Sequence, residues 1–282
     1  MIQPFDVLCC PLDAAPLQRA GATWRCPAGH SFDIAREGYI HLLPVQNKRS
    51  RDPGDSKEMV AARRRFLNGG HYQPIAAAVA RMALAAVPAG GVAACLDAGC
   101  GEGYYLRQLA ASVPPAVRMS IIGLDISKWA VQAAAKPQRD ATWVVGSNAN
   151  LPVLDATLDR VLCMFGFPVY TEFARVLKPG GVLLQVDAGA DHLRELREII
   201  YPTLKADRNT APPTPAGFRA QSSENLRFKV ELTTVEAIAD LLLMTPHLFR
   251  ATPEGRARAA ALTALSLTVD VRIATLVRDP DA

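Results

Sequence analysis

No stretch of this 282-residue chain approaches the roughly 18–20 uninterrupted apolar residues of a membrane span. The opening MIQPFDVLCC lacks a basic run followed by an apolar one, so the sequence predicts no export signal and no membrane partner. Cysteine is sparse. Six residues are too few for a disulfide scaffold, and in a chain without an export signal they are expected as thiols or metal ligands. Internal repeats and low-complexity tracts are missing as well. Half of the residues are hydrophobic and 21% are charged, close to the globular average, which excludes wholesale disorder, collagen and coiled coil. The expectation is a cytoplasmic protein with a core domain of roughly 180–200 residues and room for a small accessory module.

A strong excess of one charge is lacking too, with 31 Lys and Arg against 27 Asp and Glu. The imbalance is local. Between Arg36 and Arg65 stand eight Lys/Arg and four Asp/Glu, so this one segment carries the whole net charge of +4. A basic surface suits a polyanionic partner, because binding releases condensed counterions. A solvated helix face would give the same composition.

What is present divides into three. Residues 1–35 hold three cysteines in short, turn-rich pieces and are expected to form a small module. Residues 36–90 read as a basic linker and two helices. Ser56 caps the first, in which Met59, Val60, Arg63, Phe66 and Leu67 follow a 3.6-residue repeat up to Gly69-Gly70. The second runs from Tyr72 to about Val87, with Pro74 in its first turn. Across residues 91–282 strands and helices alternate: VAACLDAG, SIIGLDIS, TWVVGS, DRVLCMF and VLLQVDA are short apolar runs bounded by turns. That pattern predicts an α/β fold, an open parallel sheet with helices on both faces. VELTTV, a helix Glu236–Met244 and the alternating run LTVDVRIATLVR complete it, the last able to lie antiparallel at the sheet's centre or edge. Trp129 and Trp143 are expected to anchor helices on the sheet, and Cys95, Cys100 and Cys163 to be ordinary buried thiols.

The stretch LDAGCGEG sets Asp97, Gly99, Gly101 and Gly103 at the carboxyl end of the first strand. Without side chains in the way, a ligand can approach the backbone there and meet the free N–H groups of the next helix. The spacing D-x-G-x-G-x-G differs from the G-x-G-x-x-G that packs a pyrophosphate on its helix. Asp125, ending the second strand, can accept both hydroxyls of a ribose, and Asn148 after the third offers polar groups to an adenine edge. Together with the late turn Leu177–Gly181, this constellation resembles the class I (Rossmann-like) S-adenosylmethionine-dependent methyltransferases. The residues thus nominate Asp97, Gly99, Gly101, Asp125 and Asn148 as cofactor-binding.

Cys10-x-x-Asp13 and Cys26-x-x-x-His30 resemble a zinc ribbon with one odd ligand. A thiolate at position 13 would bind zinc more tightly than the carboxylate, and Cys9 could substitute by a shift of register. A module this small cannot hold itself together by apolar burial, so it either keeps its metal or leans on the larger domain.

The strings CPLD, CPAGHSFDIAREGYIHLLP, NKRSRDPGDSKEM, ARRRFLNGGHYQPI and LDAGCGEGYY together resemble the bacterial 23S ribosomal RNA guanine-N1 methyltransferases. The likeness is dense from residue 10 to 105 and fades to general fold pattern after about residue 200. It implies an N-terminal zinc-ribbon module joined to a class I methyltransferase domain, a homodimer, and S-adenosylmethionine and zinc as cofactors. Methylation would fall on guanine N1 in a hairpin loop of the large-subunit RNA. Cys10, Cys26 and His30 match zinc ligands, with Asp13 standing where the family has cysteine. Tyr72 and His192 match residues that reach the cofactor, and Gly101-Glu102 match its turn.

Methyl transfer from a sulfonium is an in-line displacement, so alignment dominates. Guanine N1 must lose a proton, which asks for an acceptor or for stabilisation of the anion at O6. Asp191, His192 and Glu102 are candidates by chain position, without an assignment among them; a carboxylate at position 102 also suits a helix N-terminus. His71 could shape a lid over the cofactor. Phe165 and Phe167 follow the fourth strand, where they could stack on a splayed-out guanine or fill the core. Lys48, Arg49, Arg51, Arg63 and Arg64 are expected to face RNA, with at most two of Arg63, Arg64 and Arg65 on one groove. Alternatives on the same fold are methylation of another RNA or of a small molecule, or a non-catalytic RNA-binding relative.

Overall fold

The computed structural model describes residues 1–47, 50–204, 213–247 and 251–280. Five short strands come first: β1 (Ile2–Pro4), β2 (Gln18–Ala20), β3 (Thr23–Arg25), β4 (Ser31–Asp33) and β5 (Tyr39–His41). β2, β3 and β4 form a separate antiparallel sheet. Helices α1 (Lys57–Asn68) and α2 (Gln73–Leu84) follow, α1 capped by Ser56 Oγ, which accepts from Met59 N–H. The main run is β6 (Val92–Ala98), α3 (Tyr104–Ser112), β7 (Arg118–Asp125), α4 (Lys128–Ala135), β8 (Thr142–Val145), β9 (Leu158–Met164), α5 (Tyr170–Val176) and β10 (Leu177–Ala188). It closes with α6 (Arg194–Ile200), β11 (Phe218–Leu232), α7 (Val235–Met244), α8 (Pro253–Ala260) and β12 (Leu265–Arg278).

The large sheet has the order β11-β12-β10-β9-β6-β7-β8-β5. Its pairs are parallel except that β12 lies antiparallel between β10 and β11. From β6 the chain steps outward through β7 and β8, then returns to the other side of β6 as β9. This reversal opens a crevice at the carboxyl ends of β6 and β9, where open α/β sheets bind ligands.

Two elements lay below the reach of periodicity. β1 pairs in parallel with the first half of β7, and β8 takes the second half of the same edge. β5, inside the stretch read as a linker, extends the sheet beyond β8. Three-residue strands carry too little pattern to detect and are fixed by the edge they meet. β11 is also longer than VELTTV, because its first half is polar and exposed on both faces and gives no alternation. Helix α8 was not read from the sequence at all.

Alternate residues of the central strands divide between two cores. Cys95, Met119, Ile121, Leu162 and Met164 face α1–α4 and α6–α8. Leu96, Ile122, Leu124, Val161 and Cys163 face the other way, toward Phe173 and Val176 of α5 and toward Leu8, Leu17 and Trp24 of the N-terminal module. The module thus covers sheet surface that one short helix leaves bare. Burying side chains of this size stabilises by about 1.5–3 kcal/mol each, so the module leans on the domain whether or not it holds metal. Trp143 is fully buried, its ring filling the space that the absent side chain of Gly123 leaves. Trp129, expected as a second anchor, lies instead at a surface groove, with Lys128 Nζ 5.9 Å from its ring centre.

Candidate functional site

Gly99, Gly101 and Gly103 turn the chain out of β6 with φ of +100°, +55° and +81°, conformations that favour glycine. A β-carbon on Gly103 would lie 2.7 Å from Trp143, so that glycine serves packing. Above Gly99 nothing lies within 4 Å: this backbone is open to a ligand. The turn is held to β7 by Gly99 and Cys100 N–H, which donate to Leu124 O at 2.8 and 2.9 Å. Asp125 continues the tie. Its Oδ2 accepts from Gly101 N–H at 2.9 Å and its Oδ1 from Ser127 N–H at 2.8 Å.

Around this turn, buried acceptors stand without partners: both oxygens of Asp97, Oε1 of Glu102 and Oδ1 of Asn148. The Asn148 amide is oriented by its Nδ2–H₂, which donates to Ala98 O at 3.3 Å. Burial, with the nearby charge of Asp125, pushes the Asp97 carboxyl up to about 8. Glu102 is also raised by burial, although Arg107 Nη2 lies 2.6 Å from its Oε2. Unpaired buried acceptors are costly, so the cradle suits a ligand rich in donors and positive charge. S-adenosylmethionine, with its sulfonium, ammonium, ribose hydroxyls and adenine amine, fits that requirement.

A second set of residues meets beyond the ends of β9 and β10. Tyr72, buried at the N-terminus of α2, places its hydroxyl 3.4 Å from His192 Nε2. His192 Nδ1 accepts from Asp270 N–H at 3.3 Å, which fixes the neutral ring with its proton on Nε2. Burial lowers this imidazole to about 4. Phe165, at φ +53°, brings its ring centre 6.2 Å from Tyr72 and 5.6 Å from His192. Phe165 and Phe167 are 38% and 90% exposed, so neither is core. His71 packs on Phe66, which meets Tyr72 edge-on.

The string DPGDS gains a structural reason here. Gly54, at φ +84°, lies so close to Ile126 and Ser127 that a β-carbon would come within 2.9 Å of both. Ser127 Oγ donates to Asp55 O at 2.7 Å, and Asp55 Oδ2 lies 2.8 Å from Arg63 Nη2. Residues 53–63 therefore form a strap beside the ends of β6 and β7. Asp55 and Ser127 escaped sequence reasoning, although the rarity of the string was a signal.

The base candidates are each engaged elsewhere. Asp191 is gripped by Arg194 at 2.7 Å and Arg227 at 2.6 Å, which hold its carboxyl low. Glu102 is paired with Arg107 through Oε2 alone, its Oε1 remaining unpartnered, and the Nδ1 lone pair of His192 is taken.

Of the basic residues, Arg51 and Arg64 are exposed, while Lys48 and Arg49 lie outside the described residues. Arg65 forms a two-pronged pair with the buried Asp240 on α7, at 2.9 and 2.5 Å. Arg63, expected on the RNA face, is instead turned inward. Its Nη2 donates to Met244 O at 3.1 Å, and the guanidinium lies against Gly101. Helix geometry separates the three arginines by about 100° per residue, so one of them had to face the fold.

In the N-terminal module, Cys10 Sγ, Asp13 Oδ, Cys26 Sγ and His30 Nδ1 lie within 4.8 Å of one another. Closest approaches are 3.1 Å from His30 to Asp13, 3.3 Å from Cys26 to each of these, and 3.5 Å from Cys10 to His30. Three of these spacings match tetrahedral edges of about 3.3–3.8 Å, expected for zinc bonds of 2.0–2.3 Å, and the His30–Asp13 approach is slightly shorter. Thiol hydrogen bonds from Cys10 first, then Ala15 N–H, hold Asp13 down at about 2. Cys9 stands apart, its thiol 3.8 Å from Leu151 O and raised to about 11 by burial.

Comparison with known proteins agrees with this geometry. A zinc-ribbon family profile described as "RlmA, N-terminal" matches residues 8–51, and a methyltransferase-domain profile matches residues 95–181. The 23S rRNA (guanine(748)-N(1))-methyltransferase of Streptomyces fradiae is 34% identical, the alignment covering 89% of each chain. Relatives carrying the enzyme name in provisional form occur in Micromonospora griseorubida, 37% identical over 94% of this chain and 95% of its own, and in Bacillus subtilis (strain 168), 32% over 95% and 96%. The chain belongs to the 23S rRNA (guanine-N1)-methyltransferase family. As a member of that family it is a methyltransferase, and both profiles fall on the sites described. The first spans the four-ligand cluster, the second the glycine turn and Asp125. Tyr72, Arg63 and His192 lie outside both.

Proposed function

We propose that this protein transfers the methyl group of S-adenosylmethionine to N1 of a guanine in a hairpin loop of 23S ribosomal RNA. The observation that carries the reading is the open turn at Gly99, ringed by the unpartnered acceptors of Asp97, Glu102 and Asn148, in a chain related end to end to enzymes of this name. S-adenosylmethionine supplies a methyl on a sulfonium, open to attack by a nitrogen lone pair. Asp97, Gly99, Gly101, Glu102, Asp125 and Asn148 form the floor of its site, and Tyr72 and His192 the cover. With its lone pair engaged by the His192 Nε2–H, the Tyr72 hydroxyl has its own proton to give.

The target base is read as an unstacked nucleotide, held by stacking on Phe165 and Phe167. The exposed ring of Phe167 supports this. Asp191 and the His192 lone pair are committed elsewhere, and Glu102 is paired with Arg107 through one oxygen, so no proton acceptor is assigned. Arg51 and Arg64, with Lys48 and Arg49, supply charge for the RNA backbone.

Cys10, Asp13, Cys26 and His30 would hold zinc, which would cross-link the two turns of the module. In this reading residues 1–35 form the recognition module, 36–90 the basic linker and helices, and 91–282 the catalytic domain, with β1 and β5 lent to the catalytic sheet. No helix among the described residues is long and apolar enough to cross a membrane, in keeping with a cytoplasmic enzyme. A homodimer belongs to the same reading. Its support is β11, a long strand at the sheet's edge that pairs on one side only among the described residues.

The test is mapping of modified nucleosides in 23S rRNA from cells with and without the gene. Loss of one N1-methylguanosine, restored by the wild type and not by Asp125→Ala, is the expected result. An unchanged rRNA profile would overturn the proposal.

A further inference from the structure

Carboxylates crowd the glycine turn. Asp97, Glu102 and Asp125 line it, and the charge of Asp55 on the strap is felt by Asp125. Such a site welcomes the sulfonium and ammonium of the cofactor but repels the carboxylate at the end of its amino-acid tail. A cation beside the turn would offset that repulsion. Arg107 is spent on Glu102, through Nη2 to Oε2 and Nη1 to the Glu102 carbonyl.

Arg63 is placed differently. Its Nη2 is used by Asp55 and Met244 O, which fix the guanidinium from two sides. Its Nη1 points at the turn, and a β-carbon on Gly101 would sit 3.2 Å from it. The side chain is 29% exposed, neither solvated freely nor sealed in. Its charge is felt by Asp125 and Glu102 alike. A guanidinium has five donors in a rigid fork, so the two partners of Nη2 leave Nη1 able to serve a ligand.

We propose that Arg63 is the residue that holds the carboxylate of the cofactor's methionine tail, with Asp55 and the Met244 carbonyl positioning it over Gly101. The inference rests on the reading of the crevice as an S-adenosylmethionine site. It assigns to cofactor binding a residue whose sequence context pointed to RNA. It also gives the strap a purpose: Gly54 and Ser127 bring Asp55 to where it aims Arg63.

The experiment is calorimetric titration of the full-length protein with S-adenosylhomocysteine, which carries the tail, and with 5′-methylthioadenosine, which lacks it. For Arg63→Gln the expected result is a loss of S-adenosylhomocysteine affinity of about tenfold to a hundredfold, the worth of a hydrogen bond to a charged group. Affinity for methylthioadenosine should stay within about twofold of the wild type, since no tail contact is removed. Equal loss for both ligands would make Arg63 a structural residue and overturn the proposal. Unchanged binding of both, with weakened binding of an RNA hairpin, would return Arg63 to the RNA and also overturn it. Should Arg63→Gln fail to fold, Arg63→Lys decides. It keeps the charge and loses the fork, so selective weakening toward S-adenosylhomocysteine supports the assignment and equal weakening rejects it. Failure of the wild type to bind either ligand would instead sink the cofactor reading itself.

Discussion

The Tyr72 hydroxyl oxygen lies 3.4 Å from His192 Nε2, so the residue that opens α2 meets the residue that leaves β10, 120 positions later in the chain. The imidazole is kept neutral by burial, lowered to about 4. In the unfolded chain it titrates near 6.5, so the unfolded state binds the extra proton first as pH falls. Stability from this site is complete above about pH 6.5 and is lost progressively down to about pH 4. Roughly 2 kcal/mol of it should disappear between pH 7 and pH 5. Urea unfolding at both values, for the wild type and His192→Gln, checks this. The variant should lack that part of the pH dependence, and equal slopes would refute it.

Asp97 works in the opposite sense. Its carboxyl ionises near pH 4 when unfolded and near 8 when folded without ligand, so it opposes folding increasingly as pH rises through that window. Asp97→Asn should therefore raise the melting temperature of the ligand-free protein at pH 8, by at most on the order of 5 kcal/mol in stability. The same change should abolish measurable cofactor binding. A less stable variant would contradict the account of an unpartnered buried charge.

Gly54→Ala tests the strap. Alanine at φ +84° is strained and its β-carbon would press into Ser127. A cost of about 1–3 kcal/mol is expected, together with weaker cofactor binding, since Asp55 would be displaced. Thermal melts and calorimetry read the two effects separately.

These residues also mark where the sequence stopped being legible. Asp97, Gly99 and Asp125 announced themselves because a ligand turn needs small residues and acids at fixed strand ends. Cys10, Asp13, Cys26 and His30 did so by paired spacing. The direction of Arg63 was not readable: three consecutive arginines look alike until α7 supplies Asp240 for one and the Met244 carbonyl for another. β1 and β5 were hidden for a related reason, since an edge of the sheet and not their own composition makes them strands. Phe165 carried no signal for its positive φ.

For the metal cluster, Asp13→Cys should tighten zinc binding by at least about tenfold, because thiolate is the softer donor. Competition with a chromophoric chelator measures it. Stripping metal from the wild type should leave Trp24 buried and its fluorescence unshifted, since Leu8, Leu17 and Trp24 are seated in the domain's own core. A red shift would mean that the ion, and not the sheet, holds the module.

That seating fixes a distance. The loop after β8 touches the glycine turn through Asn148, whose amide donates to Ala98 O, and touches the module through Pro152 O, which accepts from Cys9 N–H at 3.1 Å, and Asn150, whose amide donates to Pro11 O at 3.4 Å. One short loop thus spans from the floor of the crevice to the knuckle that carries Cys10. Those three hydrogen bonds tie the module to the crevice floor through one short loop. On the proposed reading, in which the module holds the hairpin, such a tie would set the span between grip and target base, so that the base would be chosen by length along the RNA.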